Sequence, residues 1–349
     1  MNSAFAHAVI EALGYALPPE VWTSEAIEQR LAPAYERLRM PVGRLELMTG
    51  IRERRFWPAD HLPSDAAAEA GRAALEKTKV PKEELDLLVF AGVCRDRLEP
   101  ATASNVHGLL ELPENAAIMD VSNACLGFAN ALTLAAALVE SGQIHSALIV
   151  AGENGRPLMD WTLEEMLRPD QTRRSLKRYF ANLTIGAGAV AAVLTHRERV
   201  SNPTGALALR HAVTLTDSRA NALCQGGTSS GGGLEMLTDS EELMEAGIGL
   251  AARTWDAFRG NCGWSASDVD RVVCHQVGRQ HQRVLLERLG LDASKDFITY
   301  PTLGNIGSVS LPLTLAQAVE QGAISPGDRV AACGIGSGLS CMMLAMEAL

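Results

Sequence analysis

Short apolar runs alternate with helical stretches along this chain, which is the arrangement of an α/β fold. LDLLVFAG (85–92), AAIMDV (116–121), SALIVAG (146–152), GAVAAVL (188–194), VDRVVCHQV (269–277) and DRVAACGIG (328–336) read as strands. Most are apolar on both faces, as a sheet covered on both sides requires. DAAAEAGRAALEKT (65–78) and QHQRVLLERLG (280–290) read as amphipathic helices. Residues 121–139 carry no charge and approach the length of a membrane span. Asp120 and Glu140 bound that run tightly, Asn123 and Asn130 lie inside it, and a turn and a buried strand follow. The segment is therefore read as a helix apolar on every side, central to a large core.

Two internal echoes extend this pattern. EAGRAALEKTKVPKEELDLLVFAG is matched by GLAARTWDAFRGNCGWSASDVDRVVCHQ, each a helix, a loop with acidic residues and a strand. LAAALVESGQIHSALIVAGE is matched by LAQAVEQGAISPGDRVAACGIG, each a helix, a Gly, a loop and a strand. Both pairs keep the same order, so the chain reads as a duplicated unit with its seam near residues 195–205, giving halves 1–198 and 199–349. GGTSSGGG (226–233) reads as a flexible surface loop.

Composition narrows the function classes. The 31 basic and 41 acidic side chains leave a formal charge of −10, and no Lys/Arg run supplies the basic footprint that nucleic acid requires. The seven cysteines are odd in number, scattered and without C-x-x-C spacing, which indicates neither a disulfide framework nor a structural zinc site and fits a reducing compartment. The N-terminus lacks a positive start and carries Glu11 in its apolar stretch, unlike a secretory signal, so a cytoplasmic location is expected.

Cys125 is the sharpest candidate. It lies between the strand AAIMDV and the buried helix, where the positive end of a helix dipole favours a thiolate. Position alone serves a nucleophile or a buried structural cysteine equally. His275 ends a strand, where α/β proteins place ligand groups, and Asn305 sits in the Gly-flanked turn YPTLGNIGS. Cys, His and Asn suit thiolate chemistry on an acyl group, although each alone is commonly structural. The run GIGSG (334–338) follows the final predicted strand without opening a dinucleotide-binding unit, so a phosphate reading of its glycines is weak.

TGIRERR (49–55), DVSNACLGF (120–128), HQV (275–277), GNIGSVSLP (304–312) and GIGSGLS (334–340) resemble, in order and spacing, the thiolase-fold condensing enzymes of the β-ketoacyl-acyl carrier protein synthase III type. The resemblance spans essentially the whole chain. It implies a duplicated five-layer α-β-α-β-α fold, a homodimer and no metal or redox cofactor, with a CoA or acyl carrier protein thioester as substrate carrier. Cys125 then corresponds to the acylated nucleophile, and His275 and Asn305 to the groups that bind the second thioester carbonyl and stabilise its enolate. The backbone amide of Cys125 and one from Gly336 or Gly338 correspond to the oxyanion hole.

HQVGRQH (275–281), LTIGAGA (183–189) and RDRLEPATAS (95–104) further resemble the branch, acting in bacterial olefin synthesis, that joins two fatty acyl-CoA molecules head to head. In that branch the Glu of the L-E-P run, here Glu99, reaches into the partner's site as the base that deprotonates the second chain's α-carbon. The alternatives are a decarboxylating synthase using malonyl-acyl carrier protein, an acyltransferase working on a small acceptor, and an inactive partner subunit. Retention of Cys125, His275 and Asn305 together argues against the last of these. Downstream pathway enzymes are candidate partners. Arg95, Arg97 and RRSLKR (173–178) are candidates for CoA phosphate contacts, against the plainer reading of a charged helix face.

Overall fold

A computed structural model of the protein describes residues 1–201, 203–228 and 234–349. Ten strands form its main sheet: β1 (Asn2–Ala4), β2 (Ala8–Ala16), β3 (Leu87–Phe90), β4 (Ala117–Asp120), β5 (Ser146–Glu153), β6 (Gly188–His196), β7 (Leu207–Thr216), β8 (Arg271–Cys274), β9 (Arg329–Gly336) and β10 (Ser340–Ala348). Their order is β8-β9-β10-β7-β2-β6-β5-β3-β4, with β1 added to β7.

That order holds one motif twice. β3 runs parallel to β5, which is antiparallel to β6, itself antiparallel to β2. β8 runs parallel to β9, which is antiparallel to β10, itself antiparallel to β7. The two copies join where Val9 and Ile10 of β2 pair with Ala208 and Leu207 of β7.

Six helices complete the layers: α1 (Pro63–Leu75), α2 (Thr102–Leu109), α3 (Gly127–Glu140), α4 (Ser240–Cys262), α5 (Arg279–Leu289) and α6 (Ser310–Glu320). Phe128 and Leu132 of α3 and Leu311 and Leu315 of α6 share a core with Val190, Leu209 and Leu344, so these helices lie between the two copies of the sheet motif. α1 and α2 cover the outside of the first copy through Ala66, Ala70 and Val106 against Leu88 and Val150. α4 and α5 cover the outside of the second through Leu250, Phe258 and Leu286 against Val272 and Met343. The result is the five-layer α-β-α-β-α order, and α3, buried because sheet faces it on both sides, is the segment whose length suggested a membrane span. Among the described residues no helix is long and apolar enough to cross a membrane.

The alanine-rich α1 approaches the sheet closely. A Cβ added to Gly14 in β2 would stand 2.2 Å from the backbone nitrogen of Ala74 and 2.6 Å from the carbonyl oxygen of Ala70. Gly14→Ala should therefore force the helix off the sheet and cost about 1–3 kcal/mol, the usual range for overpacking. Urea unfolding of the variant measures it; an unchanged midpoint would mean that the helix gives way freely.

Four strands of the main sheet lie outside the runs expected from the sequence: β1, β2, β7 and β10. The strand read over 269–277 is confined to Arg271–Cys274, which leaves His275 in the loop beyond it. Gly226–Thr228, read as part of a surface loop, belong to the strand Cys224–Thr228, paired antiparallel with Leu234–Thr238. The remainder of that loop, 229–233, lies outside the described residues.

Candidate active site

Cys125 sits in the turn between β4 and α3, two residues before the first helical residue, Gly127. Ala124 occupies the left-handed region at φ 45. The Leu126 N–H donates to the Asn123 carbonyl at 2.9 Å and the Gly127 N–H to the Ala124 carbonyl at 3.3 Å, fixing a tight turn around the sulfur. The end of β9 packs against this turn: a Cβ on Gly336 would lie 3.4 Å from the Cys125 nitrogen and 3.3 Å from Leu126 Cγ. A Cβ there would press only lightly on Leu126, so the two backbones already lie close together at this point. Gly338, at φ +119, follows in the loop to β10.

His275 comes from the second sheet copy. Its N–H donates to the Cys333 carbonyl at 2.9 Å, it is 5% exposed, and its Nδ1 is buried without a hydrogen-bond partner among the described residues. Gln276 braces it: its amide donates to the Cys274 carbonyl at 2.7 Å and its Oε1 accepts from the Thr299 and Tyr300 N–H groups at 2.9 and 3.1 Å.

Those residues lead into the turn that carries Asn305. Its N–H donates to the Thr184 carbonyl and its own carbonyl accepts from the Gly186 N–H, both at 2.9 Å. Its Oδ1 accepts from the Gly307 N–H at 3.1 Å and from Ser310 Oγ at 3.4 Å, which holds the acceptor side of the amide and leaves its NH₂ for the cavity.

Cys125, His275, Asn305, Gly336 and Gly338 all line one cavity of about 1660 Å³. Small-molecule sites typically enclose about 300–1,000 Å³, so this cavity admits a substrate, or a pair of substrates, well beyond drug size. Met40, Met48, Met166, Met236 and Met244 line it. Arg39, Arg44, Arg95, Arg173 and Lys177 line it as well, and Arg173 is tied down by the Leu38 and Arg39 carbonyls.

The electrostatics correct one expectation. Cys125 is only half-buried because it faces the cavity, yet protein surrounds it in depth, and this burial pushes its thiol up to about 12, with the charge of Glu153 and then Cys224 adding. The thiol is therefore neutral at rest: desolvation outweighs the helix end that the sequence placed beside it. Burial, with nearby His281 second, pushes His275 down to about 3, and burial pushes His281 down to about 4. Both imidazoles are neutral at physiological pH.

Glu99 lies elsewhere. It is exposed, in the loop before α2, and does not line the cavity of its own chain; Arg97 is exposed beside it. The loop is anchored on either side. Asp96 accepts from the Ser64 N–H at 3.0 Å and the Asn105 amide at 2.7 Å, and Asp120 of β4 accepts from the Thr102 and Ala103 N–H groups at 2.8 and 2.9 Å.

The sequence reading passed over three contributors. Glu153 stands one residue beyond the strand read as SALIVAG, and the only local signal is a carboxylate ending an apolar run. His281 lay inside the quoted HQVGRQH without a role. Cys224 reaches the cavity through a hairpin that nothing local announces.

Comparison with known proteins agrees with this geometry. The family model described as 3-oxoacyl-[acyl-carrier-protein] synthase III matches residues 119–211, and its C-terminal counterpart matches residues 260–348. An acyl-CoA:acyl-CoA alkyltransferase of Shewanella oneidensis is 40% identical over 98% of this chain and 99% of its own. A β-ketoacyl-[acyl-carrier-protein] synthase III of Erythrobacter litoralis is 33% identical over 95% of this chain and 97% of its own. Crystal structures of Xanthomonas campestris OleA, one with a cysteine changed to alanine and one with a glutamate changed to glutamine, superpose with a TM-score of 0.94 at 37% identity, covering 99% of this chain and 98% and 97% of theirs.

Proposed function

This chain belongs to the 3-oxoacyl-[acyl-carrier-protein] synthase III family of acyltransferases, and from that premise we propose that it condenses two fatty acyl-CoA molecules head to head, without decarboxylation, into a β-ketoacyl-CoA. The observation that carries this reading is the opening of Cys125, His275 and Asn305 onto a single cavity large enough for two acyl chains, in a chain with 40% identity to an acyl-CoA:acyl-CoA alkyltransferase.

In the first half-reaction the Cys125 sulfur attacks the thioester carbonyl of one acyl-CoA. The tetrahedral oxyanion is met by the Cys125 amide and one from the Gly336–Gly338 loop, fixed donors that need no reorganisation as charge develops. Collapse breaks the bond to CoA, the acyl group remains on Cys125, and the thiol proton ends on the departing CoA sulfur. In the second, the carbonyl of another acyl-CoA lies against His275 and the Asn305 NH₂. A base removes its α-proton, the enolate carbon attacks the acyl-cysteine, and the Cys125 sulfur leaves. Residues 1–198 supply the nucleophile and 199–349 the enolate donors. The scheme calls on no metal or redox group, and CoA enters as part of the substrate.

Glu99 of a second copy of this chain is the base. One observation supports the homodimer. β4 is an outer edge of the sheet with Ile118 39% exposed, and Leu98, beside Glu99, is 95% exposed, so one face presents an unpaired strand, an apolar side chain and the carboxylate together. The cysteine and glutamate exchanged in the two OleA structures are separated by the same interval as Cys125 and Glu99, which supports matching Glu99 to that glutamate. Arg39, Arg44 and Arg95 fit the phosphates of CoA.

Incubation with myristoyl-CoA alone, then with malonyl-acyl carrier protein added, tests the reading by product mass. A β-ketoacyl-CoA of combined length is expected from acyl-CoA alone; product formed only with the malonyl thioester would assign the decarboxylating reaction instead. In the same assay His275→Ala and Asn305→Ala should still take up one acyl group yet condense about 100–1000-fold more slowly, the usual cost of an oxyanion donor. Near wild-type condensation by both would leave these residues structural.

A further inference from the structure

Glu153 ends β5 with 4% of its surface exposed. Its Oε1 accepts from the Val93 N–H at 2.8 Å, the Ser308 N–H at 3.3 Å and Ser308 Oγ–H at 2.6 Å, and its Oε2 accepts from the Cys94 N–H at 2.9 Å. All four partners are donors, a set that only an acceptor on both oxygens can satisfy. Gly307 is shaped around it: at φ +53, a Cβ there would lie 3.2 Å from Oε1. One carboxylate thus joins the turn of Asn305 to the start of the loop that carries Glu99. It also lines the cavity that holds Cys125.

We propose that Glu153 is a positioning residue for both half-reactions: it clamps the Asn305 turn and the Val93–Cys94 loop on either side of Cys125 and places a fixed negative charge beside the sulfur. This rests on the proposed roles of Cys125 and Asn305. Through Ser308 it sets the turn whose Gly307 N–H holds the Asn305 side chain, so the enolate donor is aimed by a residue that never touches substrate. Its charge discourages thiolate formation when no thioester is bound, which guards the nucleophile from stray electrophiles. Cys94, Cys224, Asp60, Glu235 and Glu241 line the cavity as well, but Glu153 is the carboxylate whose charge pushes the Cys125 thiol up; the lining imidazoles of His275 and His281 are neutral, and Arg95 is the lining cation on the clamped loop.

The test is alkylation of Cys125 by iodoacetamide, in which sulfur bonds to carbon and iodide leaves. It is followed against pH by peptide mass, so it reads the thiol whether or not the acyl-CoA assignment holds. Glu153→Gln removes the charge, and the midpoint should move to lower pH by about 1 unit, the low end of the range for one close charge, because burial supplies the larger part of the rise. Glu153→Asp keeps the charge and should hold the wild-type midpoint even where its shorter reach loosens the turn. Ser308→Ala removes one donor from the carboxylate and should move the midpoint upward, while single-turnover condensation by the pre-acylated enzyme falls. An unchanged midpoint in Glu153→Gln, or equal downward shifts in the Gln and Asp variants, overturns the charge role. Should the Gln variant fail to fold, a Ser308→Ala midpoint that stays put or falls overturns it equally. Full condensation by Ser308→Ala overturns the clamp.

Discussion

Cys125→Ala protein, mixed briefly with acyl-CoA, should gain no acyl adduct by intact mass, whereas the wild type gains one. The change deletes the attacking atom, so the loss is total rather than a factor. No other cysteine can stand in for it. Cys274, Cys333 and Cys341 are buried within the sheet, burial and Glu153 push the Cys94 thiol up, Cys262 lies on α4 away from the cavity, and Cys224, which does line the cavity, is on a strand with its sulfur 3.5 Å from Thr238 Oγ1 rather than beside the oxyanion donors. A neutral resting thiol adds a condition on rate. Because burial holds Cys125 up near 12, the thiolate fraction rises about tenfold per pH unit below that value. Acylation limited by the free thiolate should climb with that slope between neutral and mildly alkaline pH; a flat profile would mean that the proton leaves in concert with attack. An adduct that persists in Cys125→Ala overturns the assignment of the nucleophile.

Glu99→Gln should leave acylation of Cys125 intact and slow the condensation of two acyl-CoAs by about 100–10,000-fold, the contribution of a positioned general base. The α-proton of a thioester is a weak acid, and no malonyl carboxylate is present to release the carbanion by decarboxylation. The expectation is sharper because Glu99 is exposed and does not line the cavity of its own chain, so under the proposed scheme it acts in another copy's cavity. Mixing Cys125→Ala with Glu99→Gln protein should then restore part of the activity, since one site of each exchanged dimer combines an intact Cys125 with an intact Glu99. Full activity in Glu99→Gln alone removes the need for a base. Failure to complement in demonstrably mixed dimers removes the exchange between subunits.

Much of the architecture could be read from the chain because its central strands are apolar on both faces and recur in a repeated order. β3, β8 and β9 fall inside runs picked out by that pattern, and β5 runs one residue past its own. β10 does not, because SCMMLAMEA is rich in good helix formers; it is a strand because β9 and β7 pair with it on both sides. β2 hides in the same way behind Ala, Glu11 and Gly14. At the site, Cys125, His275 and Asn305 were legible as residue types in telling local settings. Glu153 was not, since its meaning comes from Val93, Cys94 and Ser308, which lie far away in sequence. The state of the thiol was misjudged for a related reason: helix position is a local property, whereas desolvation depends on everything folded around the sulfur.

The methionine wall of the cavity bears on how such a site measures length. Met40, Met48, Met166, Met236 and Met244 are unbranched and change rotamer at little cost, so the space they enclose has a capacity but no fixed contour. A rigid aromatic floor would count carbons on each chain separately. A compliant one sets a ceiling on the total: every methylene added to the first acyl group is taken from the room left for the second. The partners admitted by a preloaded enzyme should shorten as the loaded chain lengthens, and product size should cluster around a constant sum.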